Sequence, residues 1–162
     1  MGLDIYFFKR KQVEEEPTIE TLKTGLDDAL FFITNRDDFN AEYIEEFVNR
    51  QKEKFGLDRK VGYLRKVNFI YRYFGNRIDT NTMECEVTKE DLKDIIAKCK
   101  EVLEKEDEET SKNLLPTCSG FFFGSTDYDS YYYDDVKEVL ELSTNLLADL
   151  HEDETLVVYF SY

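Results

Sequence analysis

The segment GFFFGSTDYDSYYYDD, residues 120–135, places glycines, hydroxyl groups and carboxylates close enough together to suggest a binding site. A phosphate-binding loop needs four residues between its glycines and a lysine before its Ser or Thr, so that backbone N–H groups and an ammonium group meet the phosphates. Here three phenylalanines separate Gly120 from Gly124, and no lysine precedes Ser125. The segment therefore does not predict a nucleotide triphosphatase. We expect the glycines to supply positive φ and the phenylalanines to enter the core.

The carboxylates of this segment are spaced in part like those of a calcium loop. Three positions match, namely Asp127, Asp129 and Glu138. The sixth position, where the sharp turn of such a loop needs glycine, is Tyr132. The pattern therefore predicts no metal site. Asp134 and Asp135 are instead expected in the first turn of the following helix, where carboxylates interact favourably with the helix dipole.

Nucleophilic catalysis would require a thiol or hydroxyl beside a base. Cys118 is the only cysteine in a predicted loop, and the only histidine, His151, lies in the acidic turn before the last predicted strand. Nothing in the sequence links these two residues, and Cys85 and Cys99 fall on core-facing positions. The sequence favours a protein without catalytic residues or a cofactor. An enzyme of unrecognised type stays an alternative, and it would need an Asp or Tyr with a strongly shifted pKa in a cleft.

A basic island at residues 61–83, with four basic side chains and one acidic one, interrupts the acidic chain. A helix over residues 61–75 would align Arg65 and Arg72 along one face, with Phe69 between them. Guanidinium groups beside aromatic rings bind planar anions such as carboxylates, phosphates and nucleotide bases. The alternative is internal ion pairing with aspartates of the segment 127–134, which the charge balance of the chain favours.

The hydrophobic pattern predicts three strands. Apolar residues alternate with others around Leu3–Phe7 and Met83–Val87, and TLVVYFSY at residues 155–162 suits a strand buried on both faces. Helices are predicted near residues 18–34, 40–55 and 61–75, from Thr88 with Asp91 completing a capping box, and after the segment 120–135. The run EKEDEETSKN is predicted to be a solvated loop. The fold class is therefore α/β or α+β in a single domain, 1–162, with a small sheet that includes both terminal strands.

The 162 residues carry a net charge of −15, and residues 84–162 alone hold 21 acidic and 7 basic side chains. Such an acidic half would repel a phosphate backbone, so direct nucleic-acid binding is not expected. No apolar run is long enough to span a membrane. The three cysteines lack paired spacing, which favours a reducing cytoplasm. The chain is expected to be cytoplasmic, without a membrane partner.

Two separated blocks resemble an uncharacterised protein family found on bacteriophages and prophages. They are VGYLRKVNFIYRYF (61–74) and LPTCSGFFFGSTDYDSYY (115–132), and the start MGLDIY is similar too. Family members tend to read Y-W-R-K-A-N-x-I-H-x-W-F, whereas this chain has Leu64, Tyr71 and Tyr73 in place of the first Trp, the His and the second Trp. No role of that His is therefore carried over. The resemblance implies a mobile-element origin and the co-occurrence of both blocks, and it brings no established activity.

Together these observations predict a non-catalytic, phage-associated binding protein in the cytoplasm of a bacterial host. Its small polar and aromatic pocket would lie between helix 61–75 and loop 119–132 and hold an anionic or nucleotide-like ligand. The alternative is an acidic decoy that imitates nucleic acid and occupies a host defence protein, with steeply salt-dependent capture. The predicted ligand-binding residues are Tyr63, Arg65, Lys66, Asn68, Arg72, Ser119, Ser125, Thr126, Tyr128, Asp129 and Tyr132.

Overall fold

The structure, a computed structural model, describes residues 2–11 and 58–162. The helices predicted near residues 18–34 and 40–55 lie outside the described residues. In chain order the elements are β1 (Asp4–Lys11), β2 (Asp58–Arg65), α1 (Asn68–Phe74), a 3₁₀ turn (Gly75–Arg77), β3 (Glu84–Val87), α2 (Lys89–Lys105), α3 (Glu108–Leu114), α4 (Ser130–Asp149) and β4 (Glu154–Ser161).

The four described strands form one antiparallel sheet in the order β2-β1-β4-β3. The strands nearest the two ends of the sequence, β1 and β4, are neighbours at its centre, with Ile5 opposite Phe160 and Phe7 opposite Val158. The prediction that the sheet includes both terminal strands is confirmed. So is the mixed α/β fold class, because the described helices pack with this sheet into one hydrophobic core.

One face of the sheet carries the core. Residues on β1 and β4 alternate between this face and the other, so that Ile5, Phe7, Val158 and Phe160 are all buried. Each such side chain stabilises the fold by about 1.5–3 kcal/mol through its removal from water. On the opposite face of β4 Val157 is buried but Thr155, Tyr159 and Ser161 are half-buried, so the predicted burial on both faces is found only at the middle of the strand. The long helices contribute Leu92, Ile95, Cys99, Val102, Val136, Val139 and Leu146.

The single helix predicted over residues 61–75 is wrong. Residues up to Arg65 continue strand β2, which pairs with β1, and the helix α1 begins only at Asn68. The break falls at Lys66, whose φ of 60° fits neither a strand nor a right-handed helix. Pairing with β1 gives the segment a partner that helical periodicity does not reveal. Arg65 and Arg72 therefore belong to different elements.

Two local predictions near the acidic runs also need correction. The run EKEDEETSKN is largely helical, because Asp107 accepts a hydrogen bond from the Thr110 N–H and starts helix α3. Helix α4 begins at Ser130, so Asp134 and Asp135 lie in its second turn rather than in its first. The capping box at Thr88 is confirmed, with Thr88 and Asp91 exchanging hydrogen bonds between side chain and backbone.

Candidate functional site

Asn68, the first residue of α1, joins the two blocks that the sequence singled out. Its Nδ2 donates to the carbonyl oxygens of Phe123 at 3.2 Å and Ser125 at 2.9 Å, and its Oδ1 accepts from the Cys118 N–H at 3.2 Å. The side chain is only 3% exposed. The helix and the loop therefore meet in space, and the amide that would face a ligand is occupied by the loop itself.

A second set of bonds fixes the same loop from its other side. Arg72 Nη1 donates to the Thr117 carbonyl oxygen at 2.8 Å, and Thr117 N–H donates to the Tyr128 hydroxyl at 3.1 Å. The Thr117 hydroxyl donates in turn to the Thr126 carbonyl oxygen at 3.0 Å. Arg72 thus binds a backbone carbonyl rather than one of the aspartates Asp127, Asp129 or Asp134, so the expected internal ion pair does not form there.

Tyr132 and Asp129 serve the start of helix α4. The buried Tyr132 hydroxyl donates to the Leu115 carbonyl oxygen at 2.9 Å, and burial raises the pKa of this phenol. Asp129 caps the helix by accepting from the Tyr132 N–H at 3.1 Å. Ser125 Oγ similarly accepts from the Asp127 N–H at 3.1 Å. These predicted ligand-binding groups hold the protein's own backbone.

Tyr63 and Arg65 lie on the sheet face opposite the helical core and share Asp4. The Tyr63 hydroxyl donates to the Asp4 carboxylate, and this hydrogen bond, with some burial, raises the pKa of Tyr63 to about 12. Arg65 Nε lies 3.9 Å from the same carboxylate. Arg65 is therefore paired with Asp4 and not with the aspartates of residues 127–134.

The three phenylalanines of the loop do not all enter the core, contrary to the expectation from sequence. Phe123 is buried against Tyr71 and Tyr162, with ring centroids 4.8 and 5.1 Å away. Phe121 is 82% exposed and Phe122 is 43% exposed, with their ring centroids 4.2 Å apart. The sequence could have indicated that some of these rings are exposed, because a short loop between two glycines cannot direct three consecutive side chains toward one core.

The backbone beneath the exposed rings is held in an unusual conformation. Phe122 has a φ of 67° and Gly124 one of 92°, whereas Gly120, also expected to need positive φ, does not. The Leu3 N–H donates to the Phe122 carbonyl oxygen at 3.2 Å, and the Leu3 carbonyl oxygen accepts from the Lys66 N–H at 2.7 Å. The loop, the start of β1 and the end of β2 are thus linked through one peptide unit on each side of Leu3.

We name as the loop-tip surface the exposed residues Phe121, Phe122, Arg65 and Lys66, which the backbone hydrogen bonds of Leu3 to Phe122 and Lys66 bring to the same end of the molecule. The Lys66 stem lies beside Gly2, where an added β-carbon would be 3.3 Å from Lys66 Cε. Within the described residues Lys66 makes no ion pair. Ser119 is exposed at the start of the same loop.

The remaining chemical candidates are held in structural roles. Cys118 is half-buried, its Sγ donates to the Asn68 carbonyl oxygen at 3.3 Å, and burial raises its pKa. Cys99 is fully buried, and burial raises its pKa to about 12. Over residues 2–11 and 58–162, no group of three or more His, Cys, Asp or Glu side chains could hold a metal ion. In the same ranges no helix is long and apolar enough to cross a membrane.

Comparison of the chain with protein-family models, with curated proteins and with solved structures found no match. The resemblance to a bacteriophage family therefore stays a prediction.

Proposed function

We propose that this protein is a non-catalytic binding protein that holds an anionic, nucleotide-like ligand on the loop-tip surface. The observation that carries the proposal is the exposed pair Phe121–Phe122 on a loop whose backbone is fixed from below. An exposed aromatic residue in a sequence this rich in aromatics is not unusual. Two adjacent rings on a backbone with positive φ at a phenylalanine are unusual, because that conformation costs about 1–3 kcal/mol.

The fixed loop favours binding because the rings are presented without further ordering. Asn68 and Arg72 already bind the loop backbone, so a ligand would not have to immobilise it, and preorganisation of this kind improves affinity. Asn68 and Arg72 then act as supports of the surface, and the ligand sits outside the junction of helix and loop rather than within it.

The chemistry of the surface suits a planar anion. Phenylalanine rings stack on nucleobases with little regard to base identity, at about 1–3 kcal/mol per stacked base. Lys66, which makes no ion pair within the described residues, supplies positive charge at the same end for a phosphate or a carboxylate, and Arg65, whose Nε is 3.9 Å from Asp4, adds to it. The acidic remainder of the chain would repel a long phosphate backbone, so single nucleotides fit better than polymeric strands.

The proposal is tested by fluorescence anisotropy with a nucleoside monophosphate labelled on its ribose. The double variant F121A/F122A should weaken binding about tenfold or more, and its melting temperature should match that of the wild type because both rings are exposed. Tyr131→Ala is the matched control, since Tyr131 is 77% exposed on helix α4, outside the surface.

Equal binding by wild type and F121A/F122A would reject the loop-tip surface as the site. Absence of binding by the wild type to any of the four common ribonucleotides or to inorganic phosphate would reject the anionic ligand. Loss of binding in Tyr131→Ala alone would place the site on α4.

A further inference from the structure

A groove of about 250 Å³ lies between strand β2 and helix α4 and shares no residue with the loop-tip surface. Its wall on one side is the strand and its wall on the other is the helix. The residues that line it are Tyr63, Leu64, Glu138, Glu141, Leu142 and Asn145. It combines an apolar base with two carboxylates and an exposed tyrosine.

The strand that forms one wall is at the edge of the described sheet. Among the described residues β2 pairs with β1 alone, so its other edge faces away from the sheet. A bulge at Val61 interrupts the pairing, since Gly62 lies opposite Phe7 and Lys60 lies opposite Phe8. Bulges and charged side chains commonly protect an edge strand from unwanted pairing. Here they protect the first half of β2 and leave residues 62–65 regular beside the groove.

Gly62 lets helix α4 approach this strand closely. A β-carbon on Gly62 would lie 2.7 Å from Leu142 Cδ1, so a larger residue would force the Leu142 side chain to move. Gly62 lies opposite Phe7, so α4 packs here against the core face of β2, and its side chains line the groove together with Tyr63 and Leu64. An extended segment laid along residues 62–65 would therefore have the α4 side chains next to it.

The α4 wall carries negative charge that the described residues do not neutralise. Glu138 and Glu141 are three positions apart on one side of the helix and make no ion pair or hydrogen bond within the described residues. Helix α4 has five acidic side chains and one lysine, and that lysine, Lys137, pairs with Asp134. One turn earlier, burial and then the charges of Glu138, Asp134 and Asp129 raise the pKa of Asp135 to about 6. Negative charge is thus crowded along this wall.

We infer that the groove binds a basic, extended segment of a partner protein, which adds a strand to the edge of β2 and places Lys or Arg side chains against Glu138 and Glu141. Backbone hydrogen bonds to an edge strand supply affinity in such complexes, and pockets for alternate side chains supply specificity. Tyr63 would contact the segment on one side and Leu142 on the other.

The test is a selection from a yeast-displayed library of random peptides, about twelve residues long to cover a strand and its flanks. Peptides captured by the full chain should carry Lys or Arg at alternate positions, because successive strand residues point to opposite faces. Synthetic copies of the best peptide should bind E138Q/E141Q at least tenfold more weakly than wild type. The matched control is E101Q/E104Q, which removes two acids with the same spacing from helix α2 and should leave binding unchanged.

A second readout distinguishes strand addition from general charge attraction. A copy of the peptide with proline at the positions expected to donate to β2 should lose binding, because proline has no N–H. Amide chemical shifts of residues 62–65 should move on binding, while those of Phe121 and Phe122 should not. A tight nucleotide site with no peptide enrichment would reject this inference alone.

Other results would overturn it. Peptides without a basic pattern, equal effects of the two double variants, or unchanged binding by the proline copy would each do so. If the protein dimerises in sedimentation experiments and E138Q/E141Q abolishes the dimer, then a second copy of this chain occupies the groove instead.

Discussion

Arg77 and Asp91 are joined by two parallel hydrogen bonds, from Nη1 to Oδ1 at 2.7 Å and from Nη2 to Oδ2 at 2.8 Å. The same Arg77 donates to the Glu86 carbonyl oxygen at 2.9 Å, and the same Asp91 completes the capping box of helix α2. The 3₁₀ turn, strand β3 and helix α2 are therefore held together at one point.

Replacement of Arg77 by Ala should lower the free energy of unfolding by about 1–2 kcal/mol, because a charge-assisted pair is lost while Arg77 is half-exposed. Lys98→Ala, which breaks the exposed pair with Asp94 on the same helix, should cost only a few tenths of a kcal/mol. Urea denaturation of both variants measures the difference. Equal losses would mean that the bidentate geometry adds nothing.

The stabilisation that the Arg77–Asp91 pair provides should depend on pH. Burial alone would raise the pKa of Asp91, but hydrogen bonds from Arg77 and from Thr88 lower it below its usual value. A carboxyl group with a lowered folded-state pKa stabilises the protein above its unfolded pKa of about 3.9, and that stability is lost as the pH falls through the folded value. The difference between wild type and Arg77→Ala should therefore shrink below about pH 4. A constant difference from neutral to acid pH would contradict this.

Asn68→Ala should be among the most destabilising single changes in the described chain. It leaves the Cys118 N–H and the Phe123 and Ser125 carbonyl oxygens without their partner, at about 1–3 kcal/mol for the buried groups. The loop should also open more often. A faster reaction of Cys118 with a thiol reagent would report this, since Cys118 is half-buried and its N–H is held by the Asn68 side chain. Wild-type rates in the variant would show that the loop is held elsewhere.

The glycines of the loop make a separate prediction. Gly124→Ala forces a side chain onto a φ of 92° and places its β-carbon 3.1 Å from Lys66 Cβ. Gly120→Ala places a β-carbon 2.6 Å from the buried Phe123 ring. Each should lower stability by about 1–3 kcal/mol, while Ser119→Ala, at an exposed neighbouring position, should be close to neutral. Thermal unfolding of the three variants tests the contrast.

Asp135→Asn should stabilise the protein near neutral pH. Burial, and next the charges of Glu138, Asp134 and Asp129, raise the pKa of Asp135 to about 6. A raised folded-state value means that the unfolded chain ionises first, so wild-type stability falls as the pH rises from about 4 to about 6. The gain from asparagine, on the order of 1 kcal/mol after solvent screening, should appear at about pH 7 and vanish near pH 4.

Asp134→Asn is the control for that experiment, because Asp134 is an exposed neighbour paired with Lys137. It should change stability little at either pH. A direct NMR titration of the Asp135 carboxyl carbon would measure the pKa itself. A midpoint near 4 would remove the basis of the prediction.

The sequence predicted secondary structure correctly where neighbouring residues alone determine it. Thr88 and Asp91 have the spacing of a capping box, and Cys85 and Val87 alternate with Glu84 and Glu86 in the strand next to it, so α2 and most of β3 could be predicted from a few neighbouring residues. Met83, predicted as part of this strand, lies before it with a φ of 59°. The strongly apolar ends of the chain likewise predicted two strands that belong to the sheet. These features depend little on distant residues.

The failures occur where a distant partner decides the conformation. Residues 61–65 have helical periodicity, but pairing with β1, more than fifty positions away, makes them a strand. Only the co-occurrence of two sequence blocks suggested that the helix and the loop meet. Asn68 and Tyr132 were assigned to a ligand because their actual partners, which are backbone carbonyl and N–H groups, cannot be identified from residue types. Every residue has a backbone carbonyl, so the sequence does not show which of them accepts a side-chain hydrogen bond.

The long-range hydrogen bonds of Leu3 and Asn68 have a consequence for the order in which parts of the protein fold. Asn68 bonds to Phe123 across 55 residues, and the Leu3 N–H donates to the Phe122 carbonyl oxygen while the Leu3 carbonyl oxygen accepts from Lys66. Closing such long loops early is entropically expensive, so the two exposed rings should acquire their final orientation late in folding. A synthetic peptide of residues 119–126 should consequently lack that orientation, and it should not compete with the protein for the labelled nucleotide.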